Sequence, residues 1–503
     1  MRIAYFLDVP DGLGGAGNLL LQQAGLMSEL YDVIVVIPTD DNGNSNQEYE
    51  KRCCELNVAH IGMKFYTSYN FFKIDYSEAM ESVLLIQEFA KKENIAFFHS
   101  VQLNVAVEYV SRKLRIPHLM NIYQMQKYEF NLCPADIYAQ YHMCDSKMYS
   151  ELWQGQLNMK SRCIRPVAIR DEMKSKAICQ LKPIKILMMG NVCERKNQLT
   201  AIRAIEQCVL SHKLVLHIAG NISSCYGERC VSYVEEHGLK EYMHFHGFVS
   251  DIVPLLEQCD CLLCASTEES FPSSIVEALT YDMTIISTPV AGVPELFVER
   301  HNSFICGDFT VEGIRDSVLE CIQYYKNGKI ADIHKNAKKT WEECFSRKIV
   351  RRQIDQYYKE ILKNKHFKSL DVFRVIGNEI EQMESQLRGI DVEGETWIYH
   401  RGMYYANLRK KLYGGQTYIW GAGKRGRLAL SIFEKLFPDV SIAAFIDTNR
   451  EGIYCKVPII KPKEVPIANG NFYCISFAEN REAAIYYLED RGLQLYEQIW
   501  CMP

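Results

Sequence analysis

At 503 residues the chain is long enough for two to four domains, each with its own core. Apolar residues make up 48% and charged residues 24%, an ordinary balance for globular protein, and a net charge of −5 speaks against nucleic-acid binding. No stretch reaches the roughly twenty apolar residues that cross a bilayer, and 19 scattered cysteines, an odd number, fit reduced thiols in a cytoplasmic protein.

The start, Met1-Arg2-Ile3-Ala4-Tyr5-Phe6, reads as a strand rather than a signal peptide. Ile3 to Val9 is apolar and runs into Asp11-Gly12-Leu13-Gly14-Gly15-Ala16-Gly17, after which Leu19 to Leu30 has helical spacing. Asp32 to Pro38 is a second strand, Ser77 to Glu93 a helix, Ile95 to His99 a strand, Val105 to Leu114 a helix and His118 to Tyr123 a strand. Such alternation predicts a doubly wound parallel sheet. A polar link from Met173 to Pro183 separates it from a second series. There, strands are expected at Ile184–Met189, Lys213–Ala219, Met243–Phe248, Asp260–Ser266 and Thr284–Ser287. Helices are expected at Gln198–Gln207, Glu228–His237, Asp251–Cys259 and Ser273–Thr280. Cys259, Cys261 and Cys264 fall on a buried strand, where alternate side chains diverge and cannot share one metal ion. Near Trp341 to Leu362 a long helix follows, rich in aromatic and basic residues.

Ligands bind such sheets beyond the carboxyl ends of the strands. One segment there stands out: Glu269 lies at a turn and Glu277 on the helix that follows, with Pro272 suited to the first helical turn because it lacks a donor. A helix start offers free N–H groups and the positive end of a dipole to a diphosphate, here from Ser273 and Ser274. The alternative reading of the same residues is an amphipathic helix with a solvated glutamate at each end.

A further βαβ unit begins at Thr417. Tyr418-Ile419-Trp420 leads into Gly421, Gly423 and Gly426 with glycine-fingerprint spacing, and Asp447 closes the next strand 21 residues after Gly426, where a ribose-binding acid belongs. Between the two regions, Glu379 to Leu387 holds a short heptad-like piece that offers a pairing segment for a homo-oligomer.

From Met1 to about Lys363 the chain resembles the retaining glycosyltransferases of family 4. The landmarks occur in order: Gly14-Gly15-Ala16 after the first strand, Gly190 and Lys196 after the first strand of the second series, Phe245 to Ser250, the spaced pair Glu269 and Glu277, the small-residue loop Ser287 to Leu296, and a closing helix from Phe345 to Leu362. The resemblance implies the GT-B fold, two facing Rossmann-like domains, here extended by a helical linker and a third small Rossmann-like domain. The expected divisions are 1–172 on the acceptor side, 173–340 for donor binding, 341–363 as the closing helix, 364–416 as linker and 417–503 as a nucleotide-binding type of module.

Transfer of a sugar from a nucleoside diphosphate sugar, with anomeric configuration retained and no metal or other cofactor required, is the implied activity. Glu269 and Lys196 would be catalytic, with Lys196 neutralising the departing phosphate and Glu269 meeting the donor sugar. Arg195, Gly190, Asn191, Phe248, Ser273, Ser274, Glu277, Gly14 and Gly15 would hold the donor, with Glu277 on the ribose. The chain departs from the family pattern in having Asn191 where arginine is usual, Ser270 and Pro272 where glycines are, and Tyr123 where histidine is common. His99 and Tyr123 are candidate acceptor or sugar contacts. No Asp-X-Asp triplet occurs, so cationic side chains are expected to do the work of a metal. The third domain resembles small nucleotide-binding modules of bacterial polysaccharide-synthesis enzymes, with Gly421, Gly423, Gly426 and Asp447 as its nucleotide contacts. A glycan, lipid-linked or protein acceptor, and no nucleic acid, are the implied partners. The basic clusters Arg347, Lys348, Arg351, Arg352 and Arg409, Lys410, Lys411 read as solvated helix faces, with peripheral contact to anionic headgroups at the inner face of a membrane as the alternative. The alternative function is a non-catalytic nucleotide-sugar sensor or scaffold.

Overall fold

The computed structural model describes residues 1–8, 14–40, 42–65, 76–102, 104–123, 138–157, 159–176, 183–209, 211–364, 366–388, 390, 405, 408–409, 411–412, 414–468, 470–477, 481–493 and 498–502. Residues 11–13 of the first glycine loop, Lys410 and much of the expected linker lie outside them.

The first domain carries strands β1 (Arg2–Phe6), β2 (Asp32–Pro38), β3 (Ala59–Met63), β4 (Ile95–Val101), β5 (His118–Asn121), β6 (Tyr141–Cys144) and β7 (Lys160–Cys163). They form one parallel sheet in the order β3-β2-β1-β4-β5-β6-β7. Its helices are α1 (Gly15–Met27), α2 (Gln47–Glu55), α3 (Tyr76–Lys92), α4 (Val105–Leu114) and α5 (Lys147–Leu157). Continuous apolar runs such as that of β2 are buried on both faces, which is what helices covering a parallel sheet require.

The second domain repeats the plan with β8 (Ile184–Met189), β9 (Leu214–Ala219), β10 (Met243–Gly247), β11 (Cys261–Cys264), β12 (Thr284–Ser287) and β13 (Phe304–Ile305), ordered β10-β9-β8-β11-β12-β13. Helices α6 (Gln198–Val209), α7 (Cys225–Glu236), α8 (Val253–Gln258), α9 (Ser273–Thr280), α10 (Val311–Lys326) and α11 (Ile330–Cys344) flank it. In both sheets the strand order reverses beside the first strand, so each domain opens a crevice where β1 meets β4 and where β8 meets β11.

The single helix expected from Trp341 to Leu362 is two: α11 ends at Cys344 and α12 spans Arg347–Lys363. The helix breaks at Ser346, whose ψ of 140 is extended, directly after Phe345. Phe345 is fully buried against Phe271 and Phe297 in the second domain's core, and its carbonyl accepts from Ala168 N at 2.9 Å, so the two crossings of the chain between domains run side by side. Beyond the break α12 returns to the first domain, burying Val350, Ile354, Tyr357, Tyr358 and Ile361 in that domain's core. Arg347 and Arg351 of its basic cluster bind Glu29 of the first domain, and Arg347 also pairs with Asp171, so these two guanidinium groups are turned to protein and not to lipid headgroups.

The third sheet, β16-β17-β15-β14-β18-β19, comprises β14 (Thr417–Trp420), β15 (Ile442–Ile446), β16 (Gly452–Tyr454), β17 (Val457–Ile460), β18 (Phe472–Ile475) and β19 (Ile499–Cys501). Before it comes α13 (Asp371–Leu387), and α14 (Lys424–Leu436) and α15 (Arg481–Glu489) cover it. Ile380, Met383 and Leu387 of α13 are buried in a core that also takes Trp153 and Tyr149 of α5, and Leu428, Phe433 and Trp500 of the third domain. The pairing segment expected for a homo-oligomer is therefore consumed inside the chain: its apolar stripe joins the third domain to the first.

Candidate functional site

The crevices of the first two domains face each other across a cleft of about 510 Å³, lined from both sides. That volume suits a ligand of nucleotide-sugar size.

On the second-domain side, β8 is followed by Gly190, whose φ of +121 favours glycine, and a side chain on Gly220 would strike the Gly190 carbonyl. This close approach lets the short 3₁₀ turn Glu194–Lys196 sit directly beside the turn after β11. Thr267 N donates to Arg195 O at 2.9 Å and fixes the two turns together. Arg195 Nη1 and Lys196 Nζ both donate to Glu269 Oε1, at 2.5 and 2.6 Å. One carboxylate oxygen thus gathers two cations at the edge of the cleft. Beside them α9 begins at Ser273, as expected, with Pro272 as its N-cap rather than inside its first turn, and Pro272 supplies no side-chain cap. Ser273 and Ser274 line the cleft there, so the free N–H groups of the first turn adjoin the paired cations. Glu277, one turn on, opens to the cleft along one edge and is enclosed by protein elsewhere; this burial pushes its carboxyl up to about 7, against the pull of Arg52 and Lys196. Phe248, 69% exposed, forms an apolar wall with Val249 and Ile252.

The first-domain wall is made of Gly14, Gly15, Ala16, Asn18 and Leu19 at the start of α1, Gln102 after β4, Tyr123 after β5 and Asp145 after β6. Asp145 is buried, which pushes its carboxyl up to about 7, and it accepts from Ser270 Oγ across the domain boundary. Next to this contact, Glu295 of the second domain accepts from Lys147 N and Met148 N, both at 2.9 Å, so it caps α5 of the first domain. Arg165 completes the clamp, donating to Glu295 at 2.5 Å and to the Asp145 carbonyl at 2.8 Å.

His99, a candidate contact in the sequence, does not line the cleft. It is fully buried, and its ring bridges Tyr358 Oη at 2.6 Å and Asn121 Oδ1 at 2.8 Å. Burial takes its pKa down to about 3, so the ring is neutral. Asn121 Nδ2 donates onward to Gln23 Oε1 and Tyr123 Oη, which fixes the Asn121 amide with its oxygen toward His99. His99 Nε2 is then the donor and Nδ1 the acceptor from Tyr358, itself bonded to Tyr5 at 2.5 Å. A chain of hydrogen bonds runs from the closing helix through His99 to Tyr123, whose place on the cleft wall it sets. Tyr123 itself stays on the candidate surface.

In the third domain the glycines take the expected forms: Gly421 has φ +106, a side chain on Gly426 would strike the Gly421 carbonyl, and Gly423 caps α14. Asp447 differs. Its two oxygens accept from Ala422 N, Asn449 N and Arg450 N, all within the protein, so it braces the glycine turn instead of presenting both oxygens to a ribose. Those bonds hold its carboxyl below the usual range despite partial burial.

Sequence reasoning missed Asp145, Gln102, Asn18 and the Glu295–Arg165 clamp. The strand before Asp145 is only four residues long, and the clamp joins positions 130 apart, as the bond itself records. Among the described residues no group of three or more metal-ligating side chains comes together.

Comparison with solved structures decides the architecture. A glycosyltransferase from Rickettsia africae superposes with TM-score 0.58 at 18% identity, covering 72% of this chain and 99% of its own. Anabaena HepE, solved in complex with UDP-glucose, superposes with TM-score 0.59 at 16% identity, covering 71% of this chain and 99% of its own. The fold is GT-B. Lipopolysaccharide outer core galactosyltransferase WaaB is also similar, with TM-score 0.52 and 16% identity over 72% of this chain and 99% of its own. Residues 169–340 match the family model described as glycosyl transferases group 1, the segment that holds the paired cations and both glutamates of the GT-B cleft. Comparison with curated protein sequences finds no match.

Proposed function

We propose that the protein is a retaining, metal-independent glycosyltransferase that moves a sugar from a nucleoside diphosphate sugar to a glycan, glycolipid or protein acceptor in surface polysaccharide or glycoconjugate synthesis. One observation carries the reading: Arg195 and Lys196, held on Glu269, stand beside the uncapped start of α9 in a cleft between two GT-B lobes. The group 1 family match over this lobe supports sugar transfer, and the complexes of HepE with UDP and UDP-glucose support a UDP-sugar donor.

In this reading the diphosphate rests on the N–H groups of Ser273 and Ser274. Lys196 and Arg195 neutralise the charge that grows on the leaving phosphate as the glycosidic bond breaks, a role that preorganised cations fill without metal. Glu269 holds those cations in place and faces positive charge at the anomeric carbon. Glu277 accepts from ribose hydroxyls, while Phe248 provides a flat apolar surface for the base. Closure of the lobes over the donor excludes water.

Release of nucleoside diphosphate from a panel of donors tests this directly. Turnover that disappears in Lys196→Ala and Glu269→Ala supports transfer. Tight donor binding with no turnover on any acceptor would identify a nucleotide-sugar sensor instead.

A further inference from the structure

The turn that carries Glu269 is held from both lobes. On its upstream side it is tied to its own domain: Thr267 N and Oγ1 both donate to Arg195 O, at 2.9 and 3.2 Å, and Arg195 Nη1 donates to Glu268 O at 2.8 Å. On its downstream side Ser270 O accepts from Gly292 N at 3.0 Å, while the Ser270 side chain crosses the seam. That hydroxyl is buried, donates to Asp145 Oδ1, and lies 3.1 Å from Ser146 Oγ and 3.4 Å from Cys144 Sγ at the end of β6. A glycine at 270, the residue of the family pattern, has no hydroxyl to donate. The bond across the seam is therefore a property of this chain.

Adhesion between the lobes does not require it. The seam already has Glu295 on the first turn of α5, Arg165 on Glu295, and Phe271 packed against Phe345. A buried carboxyl is costly to desolvate, and an apolar residue of similar size would join the lobes without that cost. Desolvation raises the Asp145 carboxyl to about 7; the Ser270 bond and Arg165 draw it down, and the charge of Glu269 pushes it up. The two carboxyl groups thus feel each other from opposite lobes.

What the bond adds is orientation. Ser270 directly follows Glu269, and both line the cleft together with Asp145. Because Glu269 also carries Arg195 and Lys196, a small rotation of this turn displaces three charges at once. A misplacement of about 1 Å at a reacting centre costs on the order of a hundredfold in rate.

We propose that Asp145 is a positioning residue for sugar transfer: through Ser270 it holds the Glu269 turn from the opposite lobe, so that Glu269 and its two cations take their set places only where the lobes meet. This rests on the transferase reading above and adds to it a part for the first lobe in arranging the second lobe's charges.

The test follows UDP release by the full chain with whichever donor of a UDP-sugar panel it turns over. Asp145→Ala and Ser270→Ala should each lower kcat about tenfold with the donor KM changed less than about twofold, and the double variant should fall no further than the worse single one. Asp145→Asn, whose amide oxygen still accepts from Ser270, should keep kcat within about threefold of the wild type. Should Asp145→Ala prove unfolded by its melting curve, Ser270→Ala is combined with Asp145→Asn instead and should be no slower than Ser270→Ala alone. Losses that multiply in the double variant, an Asp145→Asn as slow as Asp145→Ala, a change confined to donor KM, or a lowered Tm with kcat unmoved overturns the proposal. Failure of the transferase reading is distinguishable: no donor is then turned over by the wild type, UDP does not bind in calorimetry, and both ideas fall together.

Discussion

Glu269 acts on two neighbours at once. With a single oxygen accepting from Arg195 and Lys196, its loss would free both cations to move and leave the cleft edge more positive. We expect Lys196→Ala to lower kcat by about 10²–10³, the cost of removing one preorganised donor at a developing charge. Glu269→Ala should fall at least as far, because the positions of both cations change with it. Stopped assays of nucleotide release would measure both. Glu277 makes a prediction about pH. Its carboxyl is raised to about 7 by burial, from an ordinary value of 4.5 that the unfolded chain regains. Between those values the folded state holds more protons than the unfolded one, so the group's contribution to stability falls as pH rises from 4.5 through 7. His99 and His142, both brought down to about 3, contribute the opposite slope below 6.5. The wild-type curve mixes these terms, so the informative quantity is a difference: Glu277→Gln should gain in Tm on the wild type as pH rises from 4.5 to 7 and hold a constant difference above that. A difference that does not change with pH would mean that Glu277 ionises normally.

At the scale of elements, the clamp between lobes is the feature with the most to lose. Glu295 caps α5 and pairs with Arg165, so Glu295→Ala removes the cap from two exposed backbone donors and leaves Arg165 with the Asp145 carbonyl as acceptor but no carboxylate. A loss of about 0.5–2 kcal/mol is expected, the usual cost of removing a helix N-cap, read from the urea midpoint. Gly292 lies in the same seam. A side chain there would come within 3.0 Å of Ser146 Cβ, Phe271 Cδ2 and the Ser270 carbonyl, none of which is the free end of a flexible chain. Gly292→Val should therefore spread the lobes, visible as faster proteolysis between them. The elements themselves were largely legible in the sequence, because apolar runs of five to seven residues such as β1, β2 and β4 leave few other readings. Short strands such as β6 and β7 were not, since four residues carry almost no periodicity. The second-domain half of the candidate site was legible for a related reason: Arg195, Lys196, Glu269 and Glu277 fall just beyond strand ends in recognisable order. The first-domain half was legible only in part: Gly14, Gly15 and Tyr123 line the wall as expected. Nothing in the spacing of Asn18, Gln102 and Asp145 announces that three separate strand ends bring them to one wall, and only the pairings of His99 show that a polar residue at a strand end faces protein.

Across the whole molecule, the third domain is attached by packing rather than by a tether. Trp153 and Tyr149 of the first domain, α13 and the face of α14 share one core. A chain cut after Lys363 should expose that apolar face, bind a hydrophobic dye and precipitate at concentrations where the full chain stays clear. If the shortened chain is as well behaved as the full one, the shared core is incidental. Arg112 reinforces the junction from beneath: it is buried with Glu108 and also donates to Ser369 O at 2.9 Å, in the segment leading to α13. Replacing it with methionine would strand the Glu108 carboxylate, which His118 alone would then have to balance.

The side-by-side crossings at Ala168 and Phe345 have a mechanical outcome. Two adjacent stretches of chain join the lobes at one place, while the closing helix and the appended sheet are packed on the first. Whatever the appended sheet holds therefore stands at a constant reach from the wall bearing Gln102, whatever the position of the second lobe.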